Sequence, residues 1–301
     1  MPIPPLIAVI GPVEPDLLTA FVGHYRAHGV HRFLLAFHFP DQTSDDERVR
    51  LLDTCGTLDI SPALVNVGPW HEHTNTRLRD ELRALAGPGW HLLADSDEFH
   101  TYPNSLVDTV HEAAGAGIGT IGGLMLDRIT QDGQLGPWNP QQGLDRAYPL
   151  GGFLTHYLLR GDPRKIVLAH STVPVASGNH RAPGHRPVNR PPVVVHHFKW
   201  RRGVDTYLQQ RVKHLAHGSW RSTSPALLRE SRRLLDHLAR HGGHIAVDSP
   251  TLPLRPVTLD ALPPWWAHEA AHIIDTWRPP PQNEPTGTIS SPSPSGTSNR
   301  A

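Results

Sequence analysis

Short apolar runs alternate with longer stretches whose apolar residues recur every three or four positions, and this rhythm fills the first half of the chain. LIAVI (6–10), RFLLAFHF (32–39), ISPALVNV (60–67) and WHLLAD (90–95) have strand length and are bounded by turn residues or charge. Pro62 places the third run at a sheet edge, because proline has no N–H to give to a ladder. Between the first two, Leu17, Leu18, Phe21, Val22 and Tyr25 share one helical face, and Gly29 supplies the stop. Ser44 with Glu47 three residues on is a capping-box signature for a helix reaching Cys55. An Arg-rich helix over 74–86 closes at Gly87, and Asn104 is placed to cap another that ends near Gly115. Such alternation predicts an α/β fold with a mostly parallel central sheet.

The second half is less regular. Residues 118–126, 165–170 and 193–200 read as strands, the last running into charge, while 131–143 and 175–192 carry the Gly, Pro and Asn of loops. Residues 204–217 and 225–241 are amphipathic helices, with Leu227, Leu228, Leu234, Leu235 and Leu238 opposed to a charged face. From Pro279 on the chain is rich in Pro, Ser and Thr and is expected to be a disordered tail.

Composition narrows the function classes. The 301 residues suffice for one large domain or two small ones. Twenty-eight basic and 28 acidic residues cancel, which gives no global reason to bind nucleic acid or an anionic membrane. Cys55 is the single cysteine, so neither an intrachain disulfide nor a thiolate metal cluster is available. The apolar run at the start is too short for a signal peptide, and none approaches the roughly 18 residues of a membrane span, so a soluble cytoplasmic protein is expected. With 22 histidines in the chain, any single one is by default an ordinary surface residue. The lysines are Lys165, Lys199 and Lys213; the remaining positive charge is Arg.

Against this background WHLLADSDEF (90–99) stands out. An apolar strand ends in Asp95, Asp97 and Glu98, and like charges this close resist burial unless a cation sits among them. Strand side chains alternate, so Asp95 and Asp97 point the same way, as ligands of a hard divalent cation would. In open α/β sheets ligands sit beyond the carboxyl ends of the strands, where these acids lie. Phe99 is expected to fold back and wall one side of the site.

The stretch resembles the D-x-D-E-F signature of a glycosyltransferase family 2-like group with the GT-A fold. VEPDLLTAFVGHYRAHGVHRFLLAFHFPDQTSDD is similar to that group's opening, with its early Glu, H-Y-x-x-x-G-V, strand and acidic turn. MLDRITQDGQL resembles a D-R-x-x-x-D-G segment, and KIVLAH, SGNHRA and the H-F-K-W-R of VVVHHFKWR resemble its late strand, loop and His-bearing strand. The resemblance runs over about residues 5–215 and leaves out the Trp pair at 265–266.

It implies a Rossmann-like three-layer sandwich over 1–245, followed by C-terminal helices, with 246–278 a partly helical extension and 279–301 the tail. It also implies a metal-assisted transferase that takes a nucleotide-diphospho-sugar donor and a glycan, lipid or small-molecule acceptor. Glu14, Asp95, Asp97 and Glu98 would bind the nucleotide-sugar, and Asp97 with His197 would hold Mn²⁺ or Mg²⁺. Adjacent strand residues face opposite sides, so only one of His196 and His197 can serve. Asp127, at the end of another predicted strand, is the candidate general base, with Asp132 and Asp145 as rivals; Arg77, Arg201 and Arg202 are candidate phosphate contacts. Pro12 and Pro15 depart from the usual base-binding segment by removing backbone donors.

Three alternatives stay open. HEH (71–73) after a predicted strand suits a metal-dependent hydrolase or phosphoesterase. The basic segments 198–215 and 227–244 suit a nucleic-acid-binding module, although their charges interleave with acids and an apolar face. A folded but inactive GT-A scaffold would keep the same pattern.

Overall fold

The computed structural model describes residues 2–278, apart from the side chain of Arg190; the tail expected over 279–301 lies outside the described residues. Its first half follows the predicted alternation. β1 (Leu6–Ile10), β2 (Phe33–Phe39), β3 (Leu64–Val67) and β4 (Trp90–Leu93) are parallel and lie in the order 3-2-1-4. The connecting helices are α1 (Pro15–Ala27), α2 (Asp45–Thr57) and α3 (Glu72–Ala86). Ser44 and Glu47 form the capping box that opens α2. β1 shows why there are three layers: Leu6, Ala8 and Ile10 pack with α1 and α2, while Ile7 and Val9 pack with Leu78 and Leu82 of α3.

The direction of winding changes between β1 and β4. The chain steps one way from β1 through β2 to β3, then crosses to the other flank of β1 to form β4. In open α/β sheets such a reversal is where ligands bind, in a crevice outside the carboxyl ends of the strands, here those of β1 and β4. Glu14 and the acids of 95–98 emerge there.

Parallel pairing is less extensive than the alternation predicts. β8 (Arg164–His170) lies antiparallel to β4, and β6 (Thr120–Ile129) antiparallel to β8. β9 (Val188–His197) then runs parallel to β6, and β5 (Glu98–Thr101) antiparallel to β9. β7 (Leu150–Gly152) pairs with Asp127–Ile129 beyond the end of β8, and β10 (Arg255–Pro256) covers β7. The architecture is therefore a mixed α/β sheet that curls where β5 and β9 leave its main plane.

The remaining helices cover this half. α4 (Leu106–Gly115) is capped by Ser105, one residue after the expected Asn104. Two short helices, α5 (Leu144–Ala147) and α6 (Leu154–Tyr157), flank β7. α7 (Val204–Ala216) and α8 (Ala226–Arg240) bury Leu208, Leu234 and Leu238 against Trp200 and Ile129. Among the described residues no helix is long and apolar enough to cross a membrane.

The segment 246–278 packs directly on the sheet. α9 (Trp266–Thr276) buries Trp266, Ala270 and Ile273 against Leu124, Leu126 and Val194. The Trp266 indole stacks on Phe153 at 5.8 Å and donates its N–H to Pro192 O at 2.8 Å. Truncating a buried Trp forfeits its packing and strands the Pro192 carbonyl. Trp266→Ala is expected to cost about 3–5 kcal/mol, read as a single cooperative shift of the urea midpoint; a separate early transition for 246–278 would show that the segment is not part of this core.

Candidate active site

Residues 94–98 form a tight turn where β4 gives way to β5. The Glu98 N–H donates to Asp95 O at 3.0 Å, and the Asp95 N–H donates to Glu98 Oε2 at 3.2 Å. The Phe198 N–H donates to Asp97 O at 2.8 Å and Tyr25 Oη to Glu98 O at 2.9 Å, so β9 and α1 both hold the turn. Phe99 does not wall the site. It is fully buried and meets Phe21 and Phe198 edge-on at 6.0 and 5.1 Å, because Phe99 follows Glu98 on a strand whose residues are all buried.

The acids divide into two groups with different partners. Asp95 and Glu98 meet Lys165, which β8 brings in almost wholly buried. Its ammonium donates to Asp95 Oδ2 at 2.8 Å and to Gly178 O at 2.8 Å, and lies 2.7 Å from Glu98 Oε1. Burial pushes the Glu98 carboxyl up to about 7 in spite of Lys165. Burial acts the same way on Asp95, but there Lys165 prevails and holds the carboxyl below its ordinary value. The two carboxylates in turn hold the Lys165 ammonium well into its charged form, against its own burial.

Asp97 faces the other way, toward His197. Its Oδ2 lies 3.7 Å from His197 Nε2, and the side chain is 24% exposed. His197 Nδ1 bonds Asp127 Oδ1 at 2.8 Å. His196, its neighbour, points to the opposite side and meets Arg128 Nη1 at 3.1 Å. Burial lowers the His197 pKa, but Asp97 and Asp127 more than offset that and leave it above its ordinary value.

Asp127 occupies a different place from the one expected of a general base. It is 0% exposed, and its oxygens accept from the Thr155 N–H at 2.6 Å, Thr155 Oγ1 at 3.0 Å and Trp200 Nε1 at 3.0 Å besides His197. A carboxylate enclosed by four donors has no face left for an acceptor hydroxyl. Burial pushes its pKa up, while the hydrogen bonds and charge of His197 and the Thr155 N–H bring it below the usual range. Its geometry is that of a residue that orients His197.

The other candidates are engaged as follows. Glu14, at the start of α1, takes Arg201 Nη2 at 3.2 Å and Nε at 3.3 Å on Oε2, so the first strand's exit is tied to the segment after β9. Asp145 pairs with the buried Arg128, Asp132 accepts from Thr130 and Gln134, and Arg77 pairs with Glu81. In the HEH segment, Glu72 accepts from Ser222 Oγ, Thr223 N and Thr223 Oγ1 at 2.6–2.9 Å, so it fastens a loop.

For a divalent cation the fit is a two-ligand one. Asp97 Oδ2 and His197 Nε2 face each other, and the hydrogen bond of the far ring nitrogen to a carboxylate is the outer-shell arrangement of metal-binding histidines. Among the described residues no group of three or more His, Cys, Asp or Glu is arranged to hold a metal. A cation here would draw its other ligands from a bound substrate, as cations held by one or two protein groups and phosphate oxygens do.

Sequence reasoning missed Lys165, Thr155, Trp200 and Gly178. Lys165, Gly178 and Trp200 each lie in a segment that carries the resemblance, KIVLAH, SGNHRA and H-F-K-W-R, whereas Thr155 lies in none and left no signal.

No protein-family model and no curated protein matches the chain. Among solved structures, it is similar to the mannosyltransferase PcManGT from Pyrobaculum calidifontis in complex with GDP-Man and Mn²⁺, at TM-score 0.35 and 15% identity, over 79% of this chain and 71% of that one. Residues 1–349 of S. aureus TarS align at TM-score 0.31 and 12% identity, over 77% and 71% of the two chains. A putative glucose-1-phosphate thymidylyltransferase from Bacillus anthracis aligns at TM-score 0.28 and 8% identity, over 89% and 92%.

Several histidines depart from the surface default and form a buried layer behind the acid turn. His100 and His196 are fully buried, and His24 Nε2 bonds His100 O at 3.0 Å. Burial lowers the pKa of all three, that of His24 to about 4 with help from His28. A histidine lowered in the folded state stabilises it above the unfolded value near 6.5, and that contribution is lost as pH falls toward the folded value. The urea midpoint is therefore expected to drop between pH 7 and pH 5. His24→Gln should remove about 1–2 kcal/mol of that pH-dependent loss, measured as the difference between the two proteins' midpoint-versus-pH curves; identical curves would rule out a neutral His24.

Proposed function

We propose that the protein is a glycosyltransferase that moves a sugar from a nucleotide-diphospho-sugar to a hydroxyl of a glycan, lipid or small-molecule acceptor. One observation carries this reading. At the point where the strand order reverses, Asp97 and His197 face each other across 3.7 Å, with Asp127 buried behind the ring. The Nδ1–H bond to Asp127 leaves the Nε2 lone pair directed at Asp97. Asp97 and His197 would hold Mn²⁺ or Mg²⁺, and the cation would supply neutralising charge for the leaving diphosphate.

The chain's own residues have separate tasks in this reading. Asp127 keeps the proton on His197 Nδ1, and Thr155 and Trp200 keep Asp127 in place. Lys165 holds Oδ2 of Asp95, whose side chain is 45% exposed and is suited to accept from a sugar or ribose hydroxyl. Glu14 and Arg201, joined at the mouth of the crevice, would border the nucleotide. In the transfer itself the acceptor oxygen bonds to the anomeric carbon while that carbon's bond to the diphosphate oxygen breaks. The bonding pair leaves with the diphosphate, and the hydroxyl proton passes to a general base.

Titration calorimetry of UDP, GDP and their sugars, with Mn²⁺ and with EDTA, tests the reading. Wild type is expected to bind one nucleotide class, at least tenfold more tightly with Mn²⁺. Asp97→Ala should lose that metal dependence while melting within a few degrees of wild type, because Asp97 is part-exposed and its side chain approaches His197 only at 3.7 Å. Folded wild type that binds no nucleotide under either condition would overturn the transferase reading.

A further inference from the structure

Lys165 reaches the acid turn as a metal ion would. Its ammonium has three donors, and three oxygens surround it: Asp95 Oδ2 and Gly178 O at 2.8 Å, and Glu98 Oε1 at 2.7 Å. Glu98 is 1% exposed, and Oε1 has no hydrogen-bond partner of good geometry, so the ion pair with Lys165 is what compensates it. The third oxygen belongs to a preformed loop. Gly178 has φ +68°, and Arg79 pins its neighbours through Ala176 O at 2.7 Å and Asn179 Oδ1 at 3.0 Å. Two carboxylates and a fixed carbonyl form an oxygen set suited to a hard divalent cation.

We propose that Lys165 is a built-in cation occupying what would otherwise be a metal position, and that it thereby withdraws Asp95 and Glu98 from any metal's ligand set. The acid motif is thus split. Its first and last members form a metal-independent structural unit with Lys165, and only Asp97, with His197, remains to take an exchangeable cation. Lys165 acts as a positioning residue that orders the turn before any ligand arrives. The assignment rests on the tripod itself and requires no nucleotide, so it can stand or fall apart from the transferase reading.

Lys165→Met keeps the stem and removes the charge. Mn²⁺ titration followed by electron paramagnetic resonance is expected to show one more Mn²⁺ per chain in this variant than in wild type, whatever the wild-type number. The extra ion should disappear in the double variant Lys165→Met/Glu98→Gln. In EDTA the single variant should melt about 5–10 °C below wild type, and Mn²⁺ should restore most of that loss. A folded variant with the wild-type Mn²⁺ count and no Mn²⁺-dependent rise in Tm would overturn the proposal. Should the variant not fold, hydrogen exchange on wild type decides. Amides of 95–98 are expected to keep the same protection in EDTA and in Mn²⁺, because Lys165 holds the turn; protection that collapses in EDTA would refute the assignment.

Discussion

Two carboxylates are buried where the sheet reverses, and compensating them is the constraint that arranges the site. Glu98 and Asp127 are 1% and 0% exposed, and an ionised carboxyl left alone in such a place costs several kcal/mol. Each is met differently. Glu98 receives a cation from β8, whereas Asp127 receives donors from β9, α6 and the Trp200 indole. These requirements bring Lys165, His197, Thr155 and Trp200 to one place. The part-exposed acids, Asp95 and Asp97, then acquire their orientations from neighbours that are already fixed.

The fold was legible where local pattern and tertiary role agree. β1, β2 and β4 are apolar runs, α1 shows a clean buried stripe, and Ser44 with Glu47 marks a helix start by its own hydrogen bonds. It was illegible where pairing overrides pattern. β5 is the short run EFHT, buried at all four positions because β9 lies against it, and nothing in its own alternation announces a strand. β9 begins inside a segment whose Pro191 and Pro192 read as loop. β7 and β10 are too short to carry a period.

The site was half legible for the same reason. The clustered acids at a strand exit implied a cation nearby, and part of the answer is internal: for Asp95 and Glu98 the cation is a lysine seventy residues away in sequence from Asp95. Between His196 and His197 the period-two rule allowed only one to face the acids, and the register of β9 against β5 puts His197 beside Asp97. Asp127 stands at the expected rim in sequence but lies under it in space. The chain continues past it into pairing with β7, and α6 then closes over it, which a single strand's pattern does not reveal.

The long reach of these contacts has a consequence for assembly in time. Lys165 meets Asp95, and His197 meets Asp127, each across 70 residues, and Trp200 joins Asp127 across 73. A chain growing from its N-terminus completes β1 to β4 and their helices well before these partners exist. Local βα units can form early, but non-local pairings must first overcome the entropy of closing long loops. Until β8 and β9 dock, Glu98 and Asp127 must stay hydrated or protonated, so that end of the sheet stays open to water. The chemistry of the crevice is thus among the last features the chain acquires, and a chain stopped short of Trp200 would carry the acidic motif without its site.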